Sequence, residues 1–365
     1  MKVICSKENL MDGINIVQKA VSAKTTLPIL EGILLEAEDQ FKLTGNDLEI
    51  GIECYVEADI RKKGSTVLNA RMLSDIVRRL PEAEVLIEVK DDNLVIIECE
   101  NSHFEIKGLS ASGYPALPSI ERVNAFSISQ KLVRDMIRQT IFAVSIDENR
   151  PILTGSLIEC RDGELTFVSI DGFRLALRRS RAENDKSNLK VVVPGKTLNE
   201  ISKILQPVDD EMTIYSTNNQ ILFDIGKCKV VSRLLEGEYL NYRGIIPAEY
   251  ETKVRVNTKE MLSSIERASL VITSEERRYP VRFNIGNDKI VITSNTDIGA
   301  AREELNVDMS GSDLDIGFNP RYFIDALKVI EDETVDVYFT TSVGPCTIKP
   351  VEGDSFAYMI LPVRK

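Results

Sequence analysis

The chain contains the same amphipathic segment three times, and this internal repeat constrains its fold more than any other feature. The three copies are Ala70–Pro81, Pro194–Pro207 and Pro320–Glu331. Their first cations, Arg71, Lys196 and Arg321, are evenly spaced, because 196 − 71 = 125 and 321 − 196 = 125. A fixed period of this length predicts three similar domains in tandem, each large enough to have its own hydrophobic core.

Each copy predicts a helix with one apolar side and one basic side. Apolar residues recur at i, i+3 and i+7, which is the spacing of a single buried stripe on a helix. The three copies hold Leu73, Leu198 and Phe323, then Ile76, Ile201 and Ala326, then Leu80, Leu205 and Ile330. A second cation follows the first by seven residues, at Arg78, Lys203 and Lys328, so the two cations share a stripe on another side of the helix.

Each unit begins with a strand, a hydroxyl residue and a further helix. Ser6, Ser129 and Thr258 stand where an N-cap hydroxyl accepts the free N–H groups of a first helical turn. Strand pairs with alternating polarity follow both helices, so each unit has two helices and about eight short strands. The sequence therefore predicts an α+β fold of antiparallel sheets, with domains at 1–121, 122–248 and 249–365.

The first helices of the second and third units add further cations. These are Lys131, Arg134 and Arg138 in the second unit, and Lys259 and Arg267 in the third. Glu260 and Glu266 interrupt the third set and weaken its basic side. A basic helix side is either an ordinary solvated surface or a binding surface for a polyanion. Its recurrence at matching register in three repeats favours the second interpretation, and the absence of interleaved aromatic or amide side chains indicates contact with phosphates.

Composition limits how such a polyanion is held. The 365-residue chain has a net charge of −12, with 43% hydrophobic and 28% charged residues. This charge argues against a protein that holds nucleic acid by bulk electrostatics, but it leaves open one whose cations are gathered on one surface while the rest is acidic. The six cysteines are scattered without a C-x-x-C pair, no apolar run is long enough to span a membrane, and no signal peptide is visible. We expect a cytoplasmic protein without a membrane partner.

The sequence offers no convincing active site. The segment V-V-V-P-G-K-T-L resembles the end of a phosphate-binding loop, but Lys190 stands where that loop needs its second glycine, five residues before Gly195. His103 is the only histidine, and it lies in the alternating segment S-H-F-E-I-K, where an edge-strand or surface position is expected. Asp47, Asp171 and Asp297 recur at one point of each repeat, beside Gly or Asn, which favours structural turns. We expect no catalytic residue, no metal site and no cofactor.

The chain ends in Y-M-I-L-P-V-R-K, with apolar residues almost to the last position, although chain ends are usually polar and frayed. Two interpretations stay open: this segment is a last edge strand, or it borders an exposed apolar groove that marks a partner site.

Six motifs, in order over the whole chain, resemble the β subunit family of DNA polymerase III, the bacterial sliding clamps. They are T-L-P-I-L at 26–30, L-T-G-N-D-L-E at 43–49, D-G-F-R-L-A at 171–176, L-E-G-E-Y-L-N-Y-R at 235–243, I-G-F-N-P-R-Y at 316–322 and the terminal Y-M-I-L-P-V-R. The resemblance implies a head-to-tail homodimer, closed into a ring of six domains around duplex DNA without sequence preference. It implies as partners an ATP-driven clamp loader, the DNA polymerase III catalytic subunit, and other replication and repair proteins with a clamp-binding motif.

The resemblance also implies three sets of site residues. Lys24 joins the cations of the repeated helices at the DNA-facing surface, and Phe104, Ile106 and Ile272 form the subunit interface. A pocket between the second and third domains takes a short linear peptide. Its residues are Leu153, Ile170, Gly172, Phe173, Arg174, Leu175, Leu240, Ile245, Asn319, Tyr322, Val343, Met359, Leu361, Pro362, Val363 and Arg364.

The sequence departs from the family pattern at four positions, and these departures concern the peptide preference. Phe173 stands where histidine is common, Leu240 where proline is common, Gly244 where a basic residue is common, and Lys365 replaces an apolar end. Two other functions compete with a clamp: a DNA-binding scaffold that does not encircle its ligand, and a nucleotide-hydrolysing enzyme built on Gly195, Lys196 and Thr197.

Overall fold

The computed structural model describes residues 1–22, 25–118, 120, 125–181, 189–272 and 280–363. The chain forms two compact units, one made of 1–132 with 200–234 and the other of 133–199 with 235–365. Lys24 and Arg364, both predicted site residues, lie outside the described ranges, as does Lys365.

Six α-helices occur in the described ranges, two for each predicted repeat. They are α1 (Lys7–Val17), α2 (Ala70–Arg79), α3 (Gln130–Arg138), α4 (Gly195–Ile204), α5 (Thr258–Ala268) and α6 (Pro320–Leu327). The prediction of two helices in each repeat is thus confirmed.

The strands fall into three groups along the chain. The first group is β1 (Lys2–Ser6), β2 (Gly32–Ala37), β3 (Phe41–Asn46), β4 (Ile50–Val56), β5 (Asp59–Lys62), β6 (Gly64–Asn69), β7 (Glu84–Val89), β8 (Leu94–Cys99) and β9 (Ser102–Lys107). The second is β10 (Phe126–Ser129), β11 (Gly155–Arg161), β12 (Glu164–Ile170), β13 (Arg174–Arg181), β14 (Leu189–Pro194), β15 (Glu211–Ser216), β16 (Gln220–Asp224) and β17 (Cys228–Arg233). The third is β18 (Thr252–Asn257), β19 (Val281–Gly286), β20 (Lys289–Thr296), β21 (Gly299–Asn306), β22 (Asp308–Gly311), β23 (Leu314–Phe318), β24 (Thr334–Phe339), β25 (Cys346–Pro350) and β26 (Phe356–Ile360).

The strands of the described ranges pair antiparallel, as the alternating polarity predicts; examples are β2 with β3, β12 with β13 and β24 with β25. The first unit contains a five-stranded sheet, β5-β1-β7-β8-β9, and an eight-stranded sheet, β10-β15-β16-β17-β4-β3-β2-β6. The second unit contains a nine-stranded sheet, β14-β11-β12-β13-β26-β25-β24-β18-β22, and a four-stranded sheet, β21-β20-β19-β23. The two larger sheets run from one repeat into the next, through β4–β17 and β13–β26, so each compact unit contains parts of more than one repeat.

Two of the three predicted helix caps are confirmed. The Ser6 hydroxyl accepts a hydrogen bond from the Asn9 N–H (3.1 Å), and the Ser129 hydroxyl accepts one from Leu132 (3.4 Å). The prediction for Thr258 is wrong, because the side chain of the preceding residue, Asn257, caps α5 by accepting hydrogen bonds from two backbone N–H groups of its first turn. Asparagine is among the best N-cap residues, and the Thr258 hydroxyl instead donates to the Asp332 carbonyl (2.7 Å).

The predicted apolar stripe of the repeated helices is mostly correct. Leu73, Leu198 and Phe323 are fully buried at equivalent positions. Ile76 is only half-buried, however, and its neighbour Val77 takes the buried position. The helices also end earlier than predicted, so that Lys328 is the C-cap residue of α6 and not a residue of its last turn.

The last strand is not an edge strand. In the nine-stranded sheet, β26 lies between β13 and β25 and pairs with both. All five of its residues are buried. Of the two interpretations of the apolar chain end, the edge strand is therefore wrong.

Cysteines that look scattered in the sequence include one pair of neighbours. Cys54 on β4 and Cys228 on β17 stand directly opposite each other, and their sulfur atoms are 2.6 Å apart. All six cysteines of the chain are buried and free of disulfide bonds. Burial raises the pKa of the Cys5 thiol to about 12, which suppresses its reactivity.

Candidate functional site

The repeated helices have the two-sided character that their sequences predict. Arg71, Lys196 and Arg321 are exposed, as are Arg78 and Lys203, while the opposite side of each helix is buried. Arg71 is almost fully open to solvent, with 94% of its side chain exposed. Lys131, Lys259 and Arg267 are exposed as well, whereas Arg134 and Arg138 are half-buried.

The predicted DNA-facing cations differ in how far carboxylates of the same chain neutralise them. Arg267 donates to Glu303 (2.5 Å) and Lys328 pairs with Glu266 (2.9 Å). The hydrogen bond to Glu303 raises the pKa of the Arg267 guanidinium above its ordinary value. The first cation of the first repeat is less neutralised. The Arg71 Nε lies 4.0 Å from the Asp75 carboxylate, and the Arg71 side chain is almost fully solvated.

Arg78 on α2 and Arg138 on α3 differ in the same way. Among the described residues, Arg78 has no ion pair and donates only to the Ser74 hydroxyl (3.3 Å). Arg138 forms a close ion pair with Glu331. Arg71 and Arg78 of α2 are therefore less neutralised by carboxylates of the same chain than Arg138, Arg267 and Lys328 are.

The predicted peptide pocket has a buried floor. Leu153, Ile170, Leu175 and Met359 are buried in one hydrophobic cluster of the second unit, and Leu361 packs against it. Strand register explains the grouping, because Leu175 on β13 lies directly opposite Met359 on β26. Burying one such side chain contributes roughly 1.5–3 kcal/mol, so these residues also stabilise the unit.

Exposed apolar side chains lie next in sequence to this floor. Phe173 is 60% exposed, and its carbonyl accepts a hydrogen bond from the Leu361 N–H (2.9 Å). Leu240 and Ile245 are exposed in the loop whose Tyr239 and Tyr242 belong to the buried cluster. Several exposed large apolar residues in one part of a unit are typical of a partner surface.

The remaining predicted pocket residues lie in separate turns and in the C-terminal segment. Gly172 has φ +94°, a left-handed conformation that favours glycine and turns the chain toward Phe173. Val363 donates its N–H to the Gly317 carbonyl (2.9 Å), with Pro362 half-buried beside it. Val343 is exposed in the turn between β24 and β25, where its N–H donates to the Thr341 hydroxyl (3.3 Å).

Asn319, a predicted pocket residue, is also a helix cap, which the sequence analysis did not predict. Its side-chain oxygen accepts a hydrogen bond from the Arg321 N–H (3.1 Å), which makes it the N-cap of α6. Asn69 caps α2 in the same way by accepting from Met72. The asparagine that precedes the first cation in these two repeats is thus a helix signal.

Arg174 is largely enclosed, with 10% of its side chain exposed. Its guanidinium donates to Asp171 (2.9 Å), to Asp325 (2.7 Å) and to the Phe142 carbonyl (2.5 Å). The guanidinium also lies over the rings of Phe142 and Tyr322. Asp325 and Phe142 were not predicted as site residues; only the i, i+4 spacing of Arg321 and Asp325 on α6 hinted at a role for the carboxylate.

Two of the predicted subunit-interface residues lie on a sheet edge, and the third follows a helical turn. Phe104 (exposed) and Ile106 (half-buried) lie on β9, the last strand of the five-stranded sheet. Phe104 lines a concavity of about 480 Å³ together with Met72 and Ile76 of α2. In the other unit, half-buried Ile272 follows α5, and β21 ends the four-stranded sheet.

The alternative catalytic candidates have structural roles. A Cβ atom on Gly195 would lie 2.9 Å from the Thr154 carbonyl oxygen, so this glycine allows close backbone packing at the start of α4. Thr197 is buried, and its hydroxyl is not available to a bound nucleotide. Asp47 and Asp171 accept backbone N–H groups two and three residues ahead, as turn residues do.

His103 lies on the edge strand β9, as predicted, with its ring between the carboxylates of Glu98 (2.9 Å) and Glu105 (3.3 Å). Within the described residues, no group of three or more His, Cys, Asp or Glu side chains could hold a metal ion. No helix in the described ranges is both long and apolar enough to cross a lipid bilayer.

Three family models of the DNA polymerase III beta subunit match the chain in order. The N-terminal domain model matches residues 1–118, the central domain model 127–241 and the C-terminal domain model 243–364.

Curated relatives and solved structures agree with these matches. The chain is 40% identical over 378 residues to the beta sliding clamp of Bacillus subtilis, with 100% of both proteins covered. It is 36% identical to the beta sliding clamp of Staphylococcus epidermidis, covering 100% of the chain and 99% of that protein. The crystal structure of the Bacillus subtilis DNA polymerase sliding clamp superposes with a TM-score of 0.97 at 39% identity, over 100% of this chain and 99% of that one. A putative DNA polymerase III beta subunit from Eubacterium rectale gives 0.96 at 42% identity, with the same coverage.

Proposed function

The chain belongs to the DNA polymerase III beta subunit family, and on that premise we propose that two copies close into a ring around duplex DNA. The ring acts as a DNA sliding clamp, which tethers the replicative polymerase and makes it processive. The observation that carries this function is the threefold repeat of a helix with an exposed basic side, in a chain that matches sliding clamps over its whole length.

Three domains, at 1–121, 122–248 and 249–365, would give each ring six helix pairs, each with at least one basic helix. Contact of these helices with phosphates requires no base readout and leaves the clamp free to move along the duplex. The net charge of −12 supports encirclement over simple adhesion, because an acidic protein attracts DNA weakly except where its cations are gathered.

The dimer would close by pairing sheet edges, with Phe104 and Ile106 of β9 in one copy meeting the region of Ile272 in the other. Two observations support this. Phe104 is an exposed apolar residue on the edge strand β9, and the 3-10 turn before Ile272 packs beside the edge strand β21; unpaired edges favour association. A head-to-tail contact repeated twice closes a ring.

The partner site would be the surface formed by the buried floor around Leu175 and Met359 and the exposed side chains Phe173, Leu240 and Ile245. A linear peptide with apolar anchors suits it, since each anchor contributes a few kcal/mol and ordering of the peptide offsets part of that. The resulting modest affinity suits partners that exchange: polymerase, clamp loader and other proteins with a clamp-binding motif.

We propose no intrinsic catalysis and no cofactor, because the candidate residues Thr197, Asp47 and Asp171 have structural roles. The clamp would work in the cytoplasm, where a bacterial chromosome is copied.

Polymerase stimulation tests the partner site directly. The double variant Phe173→Ala with Leu361→Ala removes one exposed and one half-buried anchor, and we expect it to abolish the increase in product length on a primed circular template. Light scattering should show the same dimer as the unaltered chain. Unchanged stimulation by this variant would contradict the assignment of the partner site.

A further inference from the structure

The Arg174 guanidinium is held by three acceptors from separate parts of the second unit. Asp171 lies in the turn before β13, Phe142 lies in the 3-10 turn Ile141–Ala143, and Asp325 lies on α6. The three donor–acceptor distances are 2.9, 2.5 and 2.7 Å, respectively. A guanidinium fixed in this way, and largely shielded from water, has little freedom to reach a ligand of its own.

Two aromatic rings contact this guanidinium. Its central carbon lies 5.3 Å from the centre of the Phe142 ring and 4.7 Å from that of Tyr322. The Tyr322 ring in turn stacks on Phe173, with centroids 6.3 Å apart and an interplanar angle of 20°. At the other end, Phe142 contacts the buried Tyr358 ring edge-on at 5.6 Å. The column therefore runs from the core to the exposed Phe173, and Arg174 is its middle layer.

Asp325 connects this column to α6. Its Oδ2 accepts from Arg174 and also lies 3.8 Å from Nε of Arg321, one turn earlier on the helix. Tyr322 is on the same turn of α6 as Arg321. Asp325 therefore ties the Arg174 guanidinium to the same helix that carries Tyr322, whose ring contacts that guanidinium.

We propose that Asp325 is a positioning residue of the partner site: it holds Arg174 beneath Tyr322 and so orders the Tyr322–Phe173 wall before a partner binds. This inference rests on the proposed function of that site. Without the carboxylate, the guanidinium loses a charge-assisted hydrogen bond and the wall must be ordered during binding, which lowers affinity. Loss of one hydrogen bond to a charged group corresponds to a weakening of about tenfold or more.

The test measures association and dissociation rates of the isolated DNA polymerase III catalytic subunit on the immobilised full-length clamp. Asp325→Ala should weaken binding about tenfold. The control is Asp315→Ala, which removes another Asp–Arg pair of the same unit, the 2.8 Å contact with Arg282, and should leave both rates unchanged. Light scattering and thermal unfolding check that each variant remains a folded dimer; if Asp325→Ala does not, Asp325→Asn takes its place, with a loss of a few-fold expected.

A double-mutant cycle with Arg174→Lys separates positioning from a general structural effect. If Asp325 acts through Arg174, the Asp325 substitution should have little further effect in the Arg174→Lys background. Additive losses, or wild-type binding by a folded Asp325 variant, would overturn the proposal. The Phe173→Ala, Leu361→Ala variant keeps the two questions apart: if it binds normally, the partner site itself is wrong, whereas if only the Asp325 variants bind normally, only the positioning role fails.

Discussion

His103 provides a single-residue test of the electrostatics of strand β9. The hydrogen bond to Glu98, followed by that to Glu105, raises the pKa of its imidazole above the ordinary value of 6.5. A raised pKa in the folded state stabilises the fold below the unfolded pKa, and this contribution is lost as the pH rises through the folded pKa. Since His103 is the only histidine, one imidazole resonance should titrate above pH 6.5 in an NMR pH series. A midpoint at or below 6.5 would show that the two carboxylates do not hold the ring.

Asp171 and Arg174 show which features of the site could be predicted from the sequence and which could not. The turn role of Asp171 was predictable from its neighbours, because Asp–Gly favours a turn locally. The hydrogen bond from Arg174 to Asp325 was not predictable, because it joins residues 151 positions apart that meet only in the folded unit. Arg174 was accordingly predicted as a pocket residue without its acceptors, although those acceptors decide what its charge can do.

A buried carboxylate joins two paired strands of the third repeat. Asp336 on β24 is fully buried and accepts hydrogen bonds from Arg255 on β18 at 2.8 and 3.0 Å, with Lys253 2.9 Å away. Burial alone would raise the pKa of the Asp336 carboxyl, but the bonds from Arg255 and Lys253 outweigh it and lower the pKa below 3.8.

Replacing that carboxylate by an amide should therefore weaken the sheet. We expect Asp336→Asn to lower the free energy of unfolding by about 2 kcal/mol at neutral pH, the usual value of a hydrogen bond to a charged group. The contribution is complete above the unfolded pKa and is lost as the pH falls through the lowered folded pKa, so the difference from wild type should shrink in acid. Urea unfolding at several pH values measures this. Asp315→Asn, on an exposed pair, should change stability by less than about 0.5 kcal/mol, and an equal loss in both variants would contradict this role of Asp336.

The basic helices should contribute unequally to DNA affinity. Arg71 and Arg78 on α2 have weak or no ion pairs among the described residues, whereas Arg267 and Lys328 are paired with Glu303 and Glu266. Replacing both α2 cations by alanine should reduce the slope of log K against log salt by about 0.9 for each phosphate that is no longer neutralised. The Arg267→Ala, Lys328→Ala variant should change the slope less, since those cations must first leave their carboxylates. Anisotropy on linear duplex DNA measures both slopes, and equal changes would refute the ranking.

Helices and strands could be predicted where the sequence pattern that specifies them is local. Periodicity identified all six helices, yet it placed an N-cap one residue late at Thr258 and extended α6 to include Lys328. Local signals could not predict the order of the strands in the sheets. The central position of β26 and the contact of Cys54 on β4 with Cys228 on β17 both depend on pairings between distant segments. The same pairings explain why compact units and sequence repeats do not coincide.

For the whole molecule, the central claim is that the protein holds DNA by enclosing it. The 125-residue repeat predicts the three-domain chain, but a ring requires a second copy, and we propose that it closes through sheet edges such as β9. Salt weakens the electrostatic contacts of a protein that binds the DNA surface. A closed ring instead stays on DNA at high salt and leaves only at a free end.

The most direct measurement is retention on DNA before and after the circle is cut. The clamp is loaded by its clamp loader and ATP onto nicked circular DNA, the salt is raised, and one half of the sample is linearised. We predict retention on the circle and release from the linear form, with little retention on either by the Phe104→Ala, Ile106→Ala variant, whose ring should not close. An Ile146→Ala control, altering an isolated exposed side chain, should behave as wild type. Equal retention on circular and linear DNA would mean direct binding and would contradict the ring.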